Sequence, residues 1–238
     1  MSIEIGYYFE HLDAFPFPGF FDDLETPAQI LVRAKTFLKA LLTDPDVKEM
    51  RGTLLAPDSV HFYGNYSIGE GTKIYNDVTI IGPVYIGKNV EILPGAVIRP
   101  NTIISDGCSI GHGSEVKHCV LFGGAKVASL AFAGDCVLGK SARIGSGVIT
   151  ANRKFDQSNA TLKLDGERID LGDSFFGCIL GDSSRLGANS VTQPGTHIGP
   201  HSWVFPSTNV RGFIPREKQV YHQRETVFKD NAVIELKP

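Results

Sequence analysis

Two basic residues stand out by position. Arg99 and Lys117 lie eighteen residues apart, and each directly follows a member of an apolar run that recurs every six positions, Ile98 and Val116. Elsewhere that following slot is filled by glycine or a neutral residue, as at Gly69, Gly87, Leu93, Ser105 and Gly111. A guanidinium presents a planar fork and an ammonium a point charge, and both suit phosphate oxygens. The pair therefore reads as an anion site for a phosphate-bearing small molecule. The competing reading is a charged edge turned to solvent, with Glu115 as a neutralising neighbour. Seven histidines supply candidate bases, since imidazole exchanges protons near neutral pH. His112 and His118 each fall two residues after a six-step position, which assigns them to different corners of a repeat; His197 and His201 come later. No Cys/His spacing suits a metal, so none is expected. The glycines of 111–113 and 145–147 precede no helix and read as corner residues rather than phosphate loops.

The elements that must position these groups follow from the period itself. Ile68, Ile74, Ile80, Ile86, Ile92, Ile98, Ile104, Ile110, Val116 and Phe122 keep a six-residue step, which is neither helical nor a simple strand alternation. Internal repetition of this kind takes precedence over local propensity. Four residues after most of these anchors comes a small side chain, such as Thr72, Val78, Ala96, Cys108 or Ser114. Each unit reads as a short strand and a sharp corner, with the anchor pointing inward. Stacked units bury a continuous apolar column that no single unit could bury alone. The pattern resumes at Leu138, Ile144, Leu180, Leu186, Thr192, Ile198 and Val204.

Three segments are expected. Residues 1–60 hold an aromatic stretch (Tyr7, Tyr8, Phe9, Phe15, Phe17, Phe20, Phe21) that caps the first coil or lies on a neighbouring subunit. An α-helix follows, opened by Thr26-Pro27, with Ala28, Leu31, Ala34, Leu38, Leu41 and Leu42 at helical spacing and an end near Asp44-Pro45. Residues 61–215 form the repeat column, whose register slips over 123–137. A polar insertion at 150–170 is long enough to be functional. Residues 216–238 form a tail with a hairpin pattern over Gln219–Phe228 and Ala232–Leu236. A net charge of −3 gives no overall field for nucleic acid. No apolar run is long enough to span a membrane, and the first residues do not read as a secretion signal. The four cysteines form no CxxC pair; Cys108 and Cys178 fit small-residue slots, and a reducing, cytoplasmic setting is expected.

The step resembles the hexapeptide repeat of left-handed parallel β-helix transferases, an all-β fold in which three hexapeptides make one triangular coil of about eighteen residues. That geometry would set Arg99 and Lys117 one above the other at a single corner, about 4.8 Å apart along the stack. IRPN at 98–101, IGHGSEVKHCVL at 110–121 and LAFAGDCVLGKSARIGSGVITAN at 130–152 are similar to the acetyltransferase domain of bifunctional glucosamine-1-phosphate acetyltransferase / N-acetylglucosamine-1-phosphate uridyltransferase. FDQSNATLKLDGERIDLG and LGANSVTQPGTHIGPHSWVFP look most like archaeal-type sugar-phosphate nucleotidylyltransferases that carry this domain; the uridyltransferase domain is not expected within these 238 residues. The resemblance implies that Arg99 and Lys117 hold a sugar phosphate and that Asn152 lies near it. It also implies acetyl-CoA or another acyl-CoA as co-substrate and a homotrimer. Ser129 stands where the family has its catalytic histidine, Phe132 where it has a tyrosine, and Arg143 where it has an asparagine. Serine needs another group to take its proton, and His118 is the nearest alternative in sequence. Two functions remain: an acyl-CoA-dependent N-acyltransferase on an amino-sugar phosphate or a nucleotide-linked amino sugar, or a non-catalytic β-helix that binds sugar phosphate or partners a separate nucleotidyltransferase.

Overall fold

A computed structural model describes residues 3–43 and 49–222. The chain winds into a parallel β-helix with three faces, as the six-residue step predicts. Among the described residues its first and second sheets have nine strands each and its third has eight. Successive strands pass from the first sheet to the second, to the third, and back. Ile68 pairs with Ile86, Ile74 with Ile92, and Ile80 with Ile98, a full eighteen-residue coil in each case. These anchors are fully buried, as are Leu138, Ile144, Leu180, Thr192 and Ile198. The first coil already begins at Glu49–Met50, which pairs with Tyr66–Ile68. At the other end Gln219–Val220 still joins the second sheet, parallel to Trp203–Val204. The remainder of the expected tail hairpin lies outside the described residues.

The register differs from the expected one at a single anchor, with consequences for the site. Ile104 pairs with Leu121, not Phe122, so Leu121 fills the interior. Val116 to Leu121 is a five-residue step, and so is Ala133 to Leu138, which pairs with Leu121. Both shortened steps lie at the corner between the third and first sheets. There His118 and Asp135 take left-handed backbone conformations, at φ of 49° and 53°, a region that His, Asn and Asp enter more readily than most residues. Residues 123–137 therefore hold no interruption; they contain the regular strands Lys126–Val127 and Phe132–Gly134.

Phe122, turned outward, belongs to a second apolar layer. Ile103, Val120, Val137 and Ile179 point away from the solenoid interior on the outer face of the first sheet, and the N-terminal segment covers them. The aromatic stretch neither caps the first coil nor waits for another subunit. It runs along its own chain's first sheet, from Phe17 against Tyr85 to Tyr7 against Phe213. Phe122 stacks on Phe9 at 4.7 Å and on Phe21 at 5.6 Å. The helix α1 (Ile5–Tyr8) and the longer α2 (Pro27–Leu41) complete this layer. Pro27 supplies the first helical position, and the Gln29 side chain accepts from the Thr26 backbone N–H at 2.9 Å, half of a capping box. Ile30, Leu31, Ala34 and Leu38 form its buried stripe, and this packing brings α2 alongside the corner that carries Lys117.

The insertion leaves the third sheet after Ile149–Thr150 and returns at Cys178–Leu180. It folds into an antiparallel hairpin, Thr161–Leu164 with Glu167–Asp170. Asp165 and Gly166 turn it with φ of 49° and 89°, the paired positive values that Asp-Gly hairpin turns favour. All four cysteines are buried and unbridged, and burial pushes the Cys108 thiol up to about 12, which leaves it inert as a nucleophile. Among the described residues, no helix is long and apolar enough to cross a membrane.

Candidate functional site

The corner between the third and first sheets brings Arg99, Lys117 and Asp135 into successive coils. Val116 pairs with Ile98 and Lys117 with Gly134, so Arg99 lies one coil below Lys117 and Asp135 one coil above His118. The expected stacking of the two cations is therefore present. Each meets a carboxylate: Arg99 donates to Glu115 at 2.7 Å, and Lys117 to Asp135 at 3.1 Å. The Arg99–Glu115 pair is more than a third exposed and contributes little to stability, which leaves the guanidinium free to exchange partners.

Asp135 is the hub of the corner. Its side chain is 2% exposed and accepts from Lys117, from His118 Nδ1 at 2.8 Å and from Asn152 Nδ2 at 2.5 Å. Burial alone would raise its pKa, but His118, Asn152 and Lys117 outweigh burial and hold it below the ordinary carboxylate value. His118 is fixed at both ends, because its Nε2 faces the Leu31 carbonyl of α2 at 3.0 Å. Both ring nitrogens thus face oxygen acceptors, an arrangement satisfied in full only when both donate. His118 ties the helix to the corner with both ring nitrogens engaged, one by Asp135 and the other by Leu31.

Beside this hub opens a cleft of about 370 Å³. Its walls are α2 (Val32, Lys35), the corner (Arg99, Lys117, His118, Asp135) and the returning end of the insertion (Asp173, Phe175, Phe176). The Phe175 ring lies between two cations, with Lys117 Nζ 4.5 Å and the Arg153 guanidinium 4.7 Å from its centroid; each contact is worth about 0.5–2 kcal/mol depending on exposure. Asn152 also anchors the insertion, since Phe176 N–H donates to its carbonyl. Phe132 lies on the same side, its ring edge against Gly134. Of the residues singled out in the sequence, Arg99, Lys117, His118, Phe132 and Asn152 come together here.

Ser129 and Arg143 do not. Ser129 sits half-buried at the corner between the second and third sheets, in a column that continues to Ser146: Leu130 N–H donates to the His112 carbonyl and Gly147 N–H to the Ser129 carbonyl. Arg143 is on the second sheet, paired with Lys126 below and Arg185 above. There it lines a second groove of about 350 Å³ with Arg185, Trp203, Phe205 and the corner residues Ser146 and Ala188. Trp203 and Phe205 are large exposed apolar side chains. His197, by contrast, is buried beneath Tyr8 and Phe176; burial lowers its pKa to about 4, which makes it a neutral core residue. Among the described residues there is no group of His, Cys, Asp and Glu fit to hold a metal.

Sequence reasoning missed Asp135, Lys35 and Phe175 as parts of the cleft. Asp135 was findable in principle: recognising the five-residue step sets it one coil above His118. Lys35 and Phe175 depend on how α2 and the insertion pack, and no repeat register encodes that.

Residues 80–204 match the family model of the GMPPB C-terminal domain. The bifunctional protein GlmU of Methanococcus vannielii is 29% identical over 211 residues, covering 89% of this chain and 49% of the relative. A bifunctional sugar-1-phosphate nucleotidylyltransferase/acetyltransferase of Sulfurisphaera tokodaii is 31% identical over 194 residues, covering 82% and 47%. An uncharacterized acetyltransferase of Escherichia coli, YaiX, is 35% identical over 152 residues, covering 64% and 66%. The chain spans about half the length of the two bifunctional relatives.

Proposed function

The chain belongs to the GMPPB C-terminal domain family, and from that premise we propose that it is an acyl-CoA-dependent N-acyltransferase acting on an amino-sugar phosphate or a nucleotide-linked amino sugar. The observation that carries this reading is the stacking of Arg99 and Lys117 at one corner, beside an open cleft that also holds Lys35. Both cations already meet a carboxylate, but the Arg99–Glu115 pair is exposed and exchangeable, so a phosphate bound there would take over the guanidinium fork while the ammonium supplies a second donor. Phe132 and Asn152 flank that position. The relatives' names support both parts, a sugar 1-phosphate and an acetyltransferase.

The acyl donor, acetyl-CoA or another acyl-CoA, would use the second groove. Arg143 and Arg185 suit its phosphates, and Trp203 and Phe205 offer faces for an adenine ring. The corner amides above Ser129 could hold the oxyanion of the attacked thioester. A homotrimer fits the same surface. The first sheet is covered by the chain's own N-terminal layer, and among the described residues the corner shared by the second and third sheets is left for another copy. The exposed side chains of Leu130, Ile149 and Phe205 lie there. Four unbridged thiols are in keeping with a cytoplasmic setting.

The second reading, a non-catalytic sugar-phosphate binder or partner of a separate nucleotidyltransferase, is favoured by Ser129 at the position where the resembled family keeps its histidine. Release of free thiol from acetyl-CoA separates the two. The acyltransferase predicts release that saturates with glucosamine-1-phosphate or a nucleotide-linked amino sugar and fails without the amine. A protein that binds these ligands but releases no thiol with any acyl-CoA is the binder.

A further inference from the structure

We infer that His112 is the general base of the acyl transfer, and this inference rests on the acyltransferase reading above. His112 occupies the corner between the second and third sheets, on the same coil as Lys117 and at the opposite end of the strand Glu115–Lys117. It is exposed. Its Nδ1 lies 2.8 Å from the Pro94 carbonyl. A carbonyl can only accept, so Nδ1 donates to it, and the tautomer this contact selects carries its lone pair at Nε2. This is an oriented imidazole whose Nε2 meets no hydrogen-bond partner among the described residues. His118 and His197 are not so disposed, one held between two acceptors and the other buried.

The surroundings agree with that role on both sides. Arg99 reaches back along the strand to Glu115, the first residue of the strand that leaves the corner carrying His112. A phosphate held at Arg99 and Lys117 would direct the rest of an amino sugar or its nucleotide-linked form along this strand, toward the corner of His112. Above His112 the corner continues as Ser129, then Ser146, which lines the groove with Arg143 and Trp203. Two steps of the stack, about 10 Å, separate that groove from His112, and the intervening side chain is a serine. A thioester hanging down this corner from the groove meets the amine arriving along the strand.

In the step itself, His112 Nε2 takes a proton as the neutral amine nitrogen attacks the thioester carbonyl. The C–N bond forms, the C–S bond breaks, and the departing sulfur receives the proton from the imidazolium, giving amide and free thiol. Ser129 then takes no part in the proton transfer; its small side chain leaves room above the imidazole.

The test uses the full chain with acetyl-CoA and glucosamine-1-phosphate. His112→Asn keeps a donor for the Pro94 carbonyl and removes the base. The expected result is a fall in kcat of about 10²–10⁴-fold, loss of the acidic limb of the pH–kcat profile, and unchanged sugar-phosphate affinity by calorimetry. Adding Ser129→His, which sets an imidazole one coil higher at the same corner, is expected to restore part of the rate. Wild-type kcat and pH profile in His112→Asn overturn this assignment alone. No thiol release from the wild type overturns the acyltransferase reading and the assignment with it.

Discussion

Asp135→Asn isolates one charge at the centre of the cleft. Asparagine has the same shape and tolerates the left-handed backbone that Asp135 adopts at φ 53°, so the substitution changes little besides the carboxylate. The carboxylate accepts from Lys117, His118 and Asn152. Hydrogen bonds to charged groups contribute about 1.5–3 kcal/mol each, and stranding a buried partner costs more than removing both. Lys117 is 23% exposed and His118 16%, so Lys117 can regain some solvent and the loss is well short of the sum. About 3 kcal/mol of stability should disappear at neutral pH, measured by urea unfolding followed by circular dichroism. The folded pKa of Asp135 lies below its ordinary value. Its stabilisation is therefore fully present above the unfolded value of about 4 and lost as pH falls through the depressed folded pKa. The gap between wild type and Asp135→Asn should be constant near neutrality and close on acidification. A variant within about 0.5 kcal/mol of wild type at pH 7, or a gap that widens in acid, would refute the hub.

Arg99→Ala and Lys117→Ala should each weaken sugar-phosphate binding about tenfold or more in calorimetry, and the double variant should lose less than the sum because the two cations share one anion; unchanged affinity in both single variants removes the anion site. Ile98→Asp places an unpaired charge in the solenoid interior and should abolish cooperative thermal unfolding; unchanged stability would mean that the register is wrong. Phe122→Ala should cost about 3–5 kcal/mol and expose residues 5–41 to protease while the β signal in circular dichroism persists. Equal protease resistance in wild type and variant would contradict the outward assignment of Phe122.

Much of this protein was legible because its period is a physical constraint. An anchor every six residues must face inward if stacked strands are to share one core, and Ile68 through Val116 do so. Phe122 was misleading for a simple reason. Leu121 and Phe122 are both large and apolar, and apolarity alone cannot tell an interior column from an outer layer on the same sheet. The aromatic stretch was legible as needing a partner surface, but not which one, because Ile103, Val120, Val137 and Ile179 looked like ordinary strand residues until their outward faces were seen together. The eighteen-residue spacing of Arg99 and Lys117 carried real geometry. Asp135, His118 and Asn152 converge through two shortened corners and an insertion, and that convergence is a property of the packed chain. His112 was visible as a candidate base among several; what separates it is an exposed ring oriented by the Pro94 carbonyl, where His118 is held between two acceptors and His197 is buried.

The most direct measurement is a crystal structure of the chain with coenzyme A and glucosamine-1-phosphate bound together. The phosphate should lie between Arg99 and Lys117, the amine should point along the third sheet toward His112 Nε2, and coenzyme A should occupy the groove of Arg143, Arg185 and Trp203 with its thiol descending past Ser129. A sugar phosphate seated away from Arg99 and Lys117, or coenzyme A bound on another face, would contradict this arrangement.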